Sequence, residues 1–210
     1  MISRRIAFAL AGAVALSGCE VYRPATPDEI ARARYESAEP PSVTLISMVK
    51  TSSGRSAHSA LLINGSERVL YDPAGTFEHP DLPRAGDIHY GMTPKYVEYY
   101  ERYHARFSHF VETQTVPVSR ETADRIIANA LAEGKSFKMT CSVVTAEVVQ
   151  DVRPFTSVRS SWFPETLRED FARIPGVQTG YRRETDIGQN SVWETMQAEE
   201  RAGAAVQERM

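Results

Sequence analysis

Ser56-Ala-His-Ser-Ala-Leu-Leu-Ile-Asn-Gly-Ser-Glu-Arg-Val-Leu-Tyr-Asp72 sets the register of everything around it. Ser56 to Asn64 is mostly apolar, and it reads as a strand with a buried face. Asn64-Gly65 is a strong hairpin signal, because the tight turns that match strand twist need positive φ at their central residues. The chain returns as Glu67 to Asp72, and Pro73 and Gly75 stop it. An antiparallel hairpin sets its two open ends side by side. His58, early on one arm, is therefore expected beside Asp72, at the end of the other. Side chains alternate between faces along a strand, so a one-residue change in the turn exchanges Asp72 for Tyr71.

Outward from this hairpin, Val43 to Val49 is β-branched and apolar, as a buried strand is. Residues 73–91 are loop-like, with Pro80, Pro83, Gly86 and Gly91. Thr93-Pro94 reads as a helix cap followed by proline at the first helical position. Tyr96, Tyr99, Tyr100, Tyr103 and Phe107 then form a helical stripe, read as a core face. Phe110 to Val118 reads as a strand. Ser119 is placed to cap a helix through Leu131, with Ala123, Ile126, Ile127 and Ala130 inward and Gly134 as its stop. Residues 153–176 read as loop with a short helix at 165–171.

Cys141 to Val149 fits a helix in which Cys141, Val144, Thr145 and Val148 share one face. Cys141 then lies in the first turn. Unpaired backbone N–H groups and the positive end of the helix dipole favour a thiolate there. The same N–H groups suit an oxyanion. The alternative is packing, since free cysteine is among the most buried residue types. His58 alone fits a strand histidine, and Asp72 before Pro73 fits a turn cap.

His79, His89, His104 and His109 show no metal-ligand spacing, and no cysteine pair assists them, so no metal is expected. His104 and His109 read as capping or solvent-facing. Gln114 reads either as an oxyanion donor or as a plain polar strand residue. No phosphate loop or other cofactor motif is present. The net charge of −3 and the charged fraction of 24% leave no basic footprint for nucleic acid.

The segments Ala57-His58-Ser59-Ala60-Leu61-Leu62-Ile63, Arg68-Val69-Leu70-Tyr71-Asp72-Pro73 and Thr140-Cys141-Ser142 resemble the circularly permuted branch of the NlpC-type, papain-like cysteine hydrolases, to which lecithin retinol acyltransferase belongs. The resemblance runs from Val43 to Val149. It implies an α+β fold with a small antiparallel sheet packed on helices, and the order histidine strand, polar residue, cysteine helix. It implies Cys141 as nucleophile, His58 as general base and Asp72 as the group holding the second imidazole nitrogen. In the third role the family often has histidine, and it often has glycine where this chain has Ala57. The activity implied is hydrolysis or acyl transfer at an amide or ester, on a peptidoglycan peptide or a lipid acyl group. A catalytically inactive binding protein on the same scaffold is the alternative.

The N-terminus carries Arg4 and Arg5, an apolar run from Ile6 to Leu16, and Leu16-Ser17-Gly18-Cys19. This is the shape of a secretory signal, and it resembles a bacterial lipobox. The resemblance implies cleavage before Cys19, lipidation of that thiol, and a protein held on an envelope membrane, with Glu20 favouring the outer one. Cys141 is then left without a partner in its own chain. The organisation expected is a signal at 1–18, a proline-rich tether at 19–41 with a short helix at 28–35, one domain at 42–180, and a charged tail at 181–210. The tail reads as a peripheral helix from Ser191 or as partly disordered.

Overall fold

The computed structural model describes residues 23–185 and 192–207. The protein is α+β. Among the described residues a seven-stranded antiparallel sheet is joined by six helices. The elements are α1 (Pro27–Ala33), β1 (Ser42–Lys50), β2 (Ser56–Asn64), β3 (Arg68–Tyr71), β4 (Arg84–Ala85), β5 (Ile88–His89), α2 (Pro94–His104), β6 (His109–Pro117), α3 (Arg120–Glu133), α4 (Cys141–Gln150), α5 (Pro164–Phe171), β7 (Gln178–Arg182) and α6 (Val192–Gln207). The sheet order is β4-β5-β3-β2-β1-β6-β7.

Strand alternation divides the core in two. Val43, Leu45, Leu61, Ile63, Val69 and Tyr71 face one way and pack on α3, α4 and α5. Ile46, Met48, Ala60 and Leu70 face the other way, with Phe77 and with Tyr99 and Tyr100 of α2. Removing one such leucine or isoleucine from water contributes about 1.5–3 kcal/mol. α4 is buried nearly all round, through Cys141, Ser142, Val144, Thr145, Ala146, Val148 and Val149. That enclosure fixes its first residue against β2.

The hairpin differs from the expected one. Asn64 pairs with Arg68, so the connection is Gly65-Ser66-Glu67, and Glu67 is not in the strand. Asp124 of α3 accepts hydrogen bonds from Ser66 N–H (2.6 Å) and Ser66 Oγ–H (2.6 Å), and Arg120 donates to the Gly65 carbonyl. Leu61 thereby faces Tyr71. One step further, Asp72 falls opposite Ala60 and on the face of His58. Tyr71 points to the other side, into the core against α3 and α4.

Several boundaries shift. Residues 23–41, expected within a tether, lie against the sheet. Ala25 N–H donates to Arg84 O, Arg68 N–H to Tyr35 O, and the Asn64 amide to the carbonyls of Glu39 and Pro40. At the other end, the expected boundary at 180 falls inside β7, which pairs with β6. The charged segment beyond it forms α6, which packs on α2 through Val192, Trp193 and Met196, with ion pairs Arg102–Glu199 and Lys95–Glu200. Phe107 is exposed past the end of α2 and is not part of the stripe. Cys19 and the signal sequence lie outside the described residues. No helix among the described residues is long and apolar enough to cross a membrane.

Candidate active site

Cys141, His58 and Asp72 are brought together at the open end of the β2–β3 hairpin. β3 ends at Tyr71, whereas β2 continues back to Ser56, so the outer edge of Ser56–Ala60 has no β3 partner. The start of α4 fills this gap. The Cys141 sulfur accepts the N–H of Ser59 there, and also that of Ser142 in its own first turn. No side chain caps α4, since Thr140 Oγ donates instead to the Phe137 carbonyl. The leading N–H groups of the helix are thus left for the sulfur.

His58 is aimed by a β-bulge. Met48 pairs with His58 and Val49 with Ser56, so Ala57 is the extra residue. Bulges re-aim side chains and recur beside active sites. Ala57 is outside the left-handed region, so the bulge does not require glycine there. His58 Nε2 lies 2.6 Å from Asp72 Oδ1. Asp72 is fully buried, and its carboxylate can only accept, so Nε2 carries a proton. Nδ1 is the nitrogen left for the Cys141 thiol, to which the ring is hydrogen-bonded.

Charge follows from these contacts. Burial pushes the His58 imidazole down, but hydrogen bonds to Asp72 and Cys141 outweigh it and hold its pKa well above the ordinary histidine value. Burial pushes the Cys141 thiol up, and the hydrogen bond and charge of His58, with the N–H groups of Ser59 and Ser142, bring it below its ordinary value. Asp72 behaves likewise: burial raises it, and His58 brings it below the usual carboxylate range. All three shifts run toward the charged forms: thiolate, imidazolium and carboxylate in a row. Such a thiolate is a nucleophile with its proton already on the base.

The surroundings hold the row rigid. A Cβ built on Gly75 would collide with the Asp72 carboxylate, so only glycine fits there. The positive-φ residues other than glycine, among those described, are Ala74 and Met139. Each is two positions from a member of the row, and strained backbone of this kind clusters at functional sites. Tyr100 points its hydroxyl at Asp72.

Two histidines missed in the sequence reading belong here. His104, expected to cap or face solvent, stacks on His58 with ring centroids 6.5 Å apart. Its Nδ1 lies 2.9 Å from the Tyr100 carbonyl, so that nitrogen carries the proton. Burial lowers its pKa to about 4. His89, on β5, is near Asp72 and packs edge-on against Phe77. The available signal was the spacing of Tyr100 and His104, four residues apart on one helix face.

Gln114 is not part of this group. Its Nε2 donates to the Arg168 carbonyl at 3.1 Å, so the oxyanion alternative of its two readings has no geometric basis. His79 packs among Tyr96, Tyr99 and Trp193. Among the described residues no cluster of His, Cys, Asp and Glu is arranged to hold a metal ion. Comparison with protein-family models, with curated proteins and with solved structures finds no match to this chain.

Proposed function

We propose that this protein is a thiol hydrolase or acyltransferase of permuted papain-like design, acting on an amide or ester bond. The observation that carries the reading is the hydrogen-bonded row Cys141–His58–Asp72, with its 2.6 Å Nε2–Oδ1 contact. In the reaction, the Cys141 thiolate adds to the substrate carbonyl carbon. The N–H groups at the start of α4 stabilise the oxyanion. The carbon–nitrogen or carbon–oxygen bond breaks, and the His58 proton passes to the leaving group. Water or another acceptor, deprotonated by His58, then cleaves the thioester and restores the thiolate. Asp72 keeps the ring oriented and stabilises its charge.

The lipobox-like segment ending at Cys19 supports an envelope location, with the protein tethered by lipid on that residue. Envelope substrates of the right chemistry are peptidoglycan stem-peptide amides and lipid acyl groups. Phe137 and Met139, exposed in the loop leading to the thiol, provide apolar contact that suits an acyl group.

The test is alkylation with mass detection. Iodoacetamide at pH 6 is expected to label Cys141 at least about tenfold faster than a free thiol, which is mostly protonated there. His58→Ala is expected to remove that advantage. Exposure to envelope extract is expected to leave an acyl adduct on Cys141 alone. A folded protein whose Cys141 stays unreactive at pH 6 overturns the enzyme and leaves a binding protein on the same scaffold.

A further inference from the structure

Beside His58 the surface opens into a cleft of about 390 Å³, lined by Ala57 and His58 on one side and by Ala74, Gly75 and Thr76 below Asp72. The facing wall is built by the end of α2 and the turn after it. There Arg106 and His109 exchange two backbone hydrogen bonds, of 2.6 and 3.1 Å. This closed turn presents Arg106, Ser108 and His109 to the cleft, with His104 behind them.

Among the described residues the wall carries positive charge with no carboxylate paired to it. Arg102, Arg168 and Arg182 each pair with two or more carboxylates. Arg106 pairs with none among the described residues. It is held instead by neutral groups: Nη2 donates to the Tyr103 carbonyl, and the guanidinium lies 5.4 Å from the Tyr103 ring centre. Burial lowers the Arg106 pKa, so its charge is kept at some expense. Burial also lowers His109, and the charged groups acting on it, Lys50 and Arg106, are both cationic. His109 Nδ1 shares a hydrogen bond of 2.9 Å with the Ser108 hydroxyl. Asp72, beside the cleft, is buried and engaged by His58.

A half-buried guanidinium held in place by a carbonyl and a ring, beside a reacting group, is preorganised for an anion. We propose that this cleft is an anion subsite: Arg106, with Ser108 and His109, binds a carboxylate or phosphate on the substrate next to the bond that Cys141 attacks. Its role in turnover rests on the thiol chemistry proposed above, but the binding itself does not. It narrows the substrate to an amide or ester bearing a nearby negative group.

Two measurements test this. Iodoacetate and iodoacetamide deliver the same carbon to Cys141 and differ in charge. The iodoacetate-to-iodoacetamide rate ratio is expected to fall about tenfold in Arg106→Gln, the equivalent of about 1.4 kcal/mol. A ratio that Arg106→Gln does not move overturns the subsite. If Cys141 fails to react even with the neutral reagent, the thiol chemistry has failed, and the second measurement decides the subsite alone. In Cys141→Ser protein, inorganic phosphate and acetate are titrated separately at constant ionic strength against chloride. The His109 ring-proton resonances are followed. A saturable shift with either anion, lost on adding Arg106→Gln, supports the proposal, and which anion gives it tells phosphate from carboxylate. No shift beyond that of chloride overturns it.

Discussion

Two histidines approach Asp72 from the strands on either side of β3, His58 from β2 and His89 from β5. His89 is buried and His58 half-buried at the edge of the cleft, and desolvation pushes both toward the neutral form. Their outcomes are opposite. His58 makes a 2.6 Å hydrogen bond to Asp72 and a second to Cys141, and is held above the ordinary histidine range. Neither ring nitrogen of His89 is partnered among the described residues, and its pKa falls to about 4, although the Asp72 charge pulls it upward. Proximity to a carboxylate does not keep a buried imidazole charged. Direct hydrogen bonds at both nitrogens do, because they replace the solvation that burial removed. His104 follows the same pattern. It is bonded only to a neutral carbonyl and also falls to about 4.

Removing the direct bond is the most severe way to erase this difference. Asp72→Ala leaves His58 bonded to Cys141 and without a carboxylate at Nε2. Cys141 alkylation by iodoacetamide at pH 6 is expected to fall about 10²–10³-fold, within the range that a positioned acid–base group contributes. Asp72→Asn is expected to fall between this and the parent, since its amide oxygen still accepts from Nε2–H but carries no charge. The acid limb of the rate–pH profile is expected to move to higher pH in both. An unmoved limb in Asp72→Ala would show that Asp72 does not set the charge of the pair.

Gly75→Ala disturbs the same bond without touching its chemistry. The new methyl group overlaps the carboxylate, so either Asp72 or the 73–76 turn must yield. Urea unfolding is expected to show a loss of about 1–3 kcal/mol, the usual range for overpacking. The acid limb is expected to shift as in Asp72→Asn, by less. Parent-like stability together with a parent-like profile would mean that the turn is soft and does not hold Asp72.

How far the sequence foretold this site depends on where each contact originates. Cys141 was legible because the apolar period of α4 is local and marks its first turn. His58 was legible as an arm of a hairpin. Asp72 depended on register. A two-residue Asn64-Gly65 turn would pair Ile63 with Ser66 and put Tyr71 on the His58 face. The observed three-residue connection is braced by Asp124 and Arg120 of α3, and nothing in the hairpin itself announces that brace. β4 and β5 have two residues each, too few to show a period, and β7 is mostly polar and exposed or half-buried. Gln114 looked free because its acceptor, the Arg168 carbonyl, is a backbone atom 54 residues away. His104 looked like a helix cap, and it does bond a carbonyl of its own helix. Only the fold shows that its other side faces His58.

The smallest expected effect tests the neutral side of the comparison. His89→Phe keeps the edge contact with Phe77 and removes two nitrogens that no group among the described residues satisfies, so little stability is lost at neutral pH. The difference emerges in acid. In the folded protein His89 titrates near 4, but in the unfolded chain at its ordinary value of 6.5. Between those limits the unfolded state binds one more proton, so the parent loses stability as pH falls through the window. Replacing His89 is expected to flatten that decline by about 1.4 kcal/mol per pH unit at its steepest, leaving the share due to His104 in place. The check is a set of urea midpoints from pH 7 down to pH 4. Parallel curves for parent and variant would mean that the His89 ring takes up a proton inside the fold, and pairing would then not be what separates it from His58.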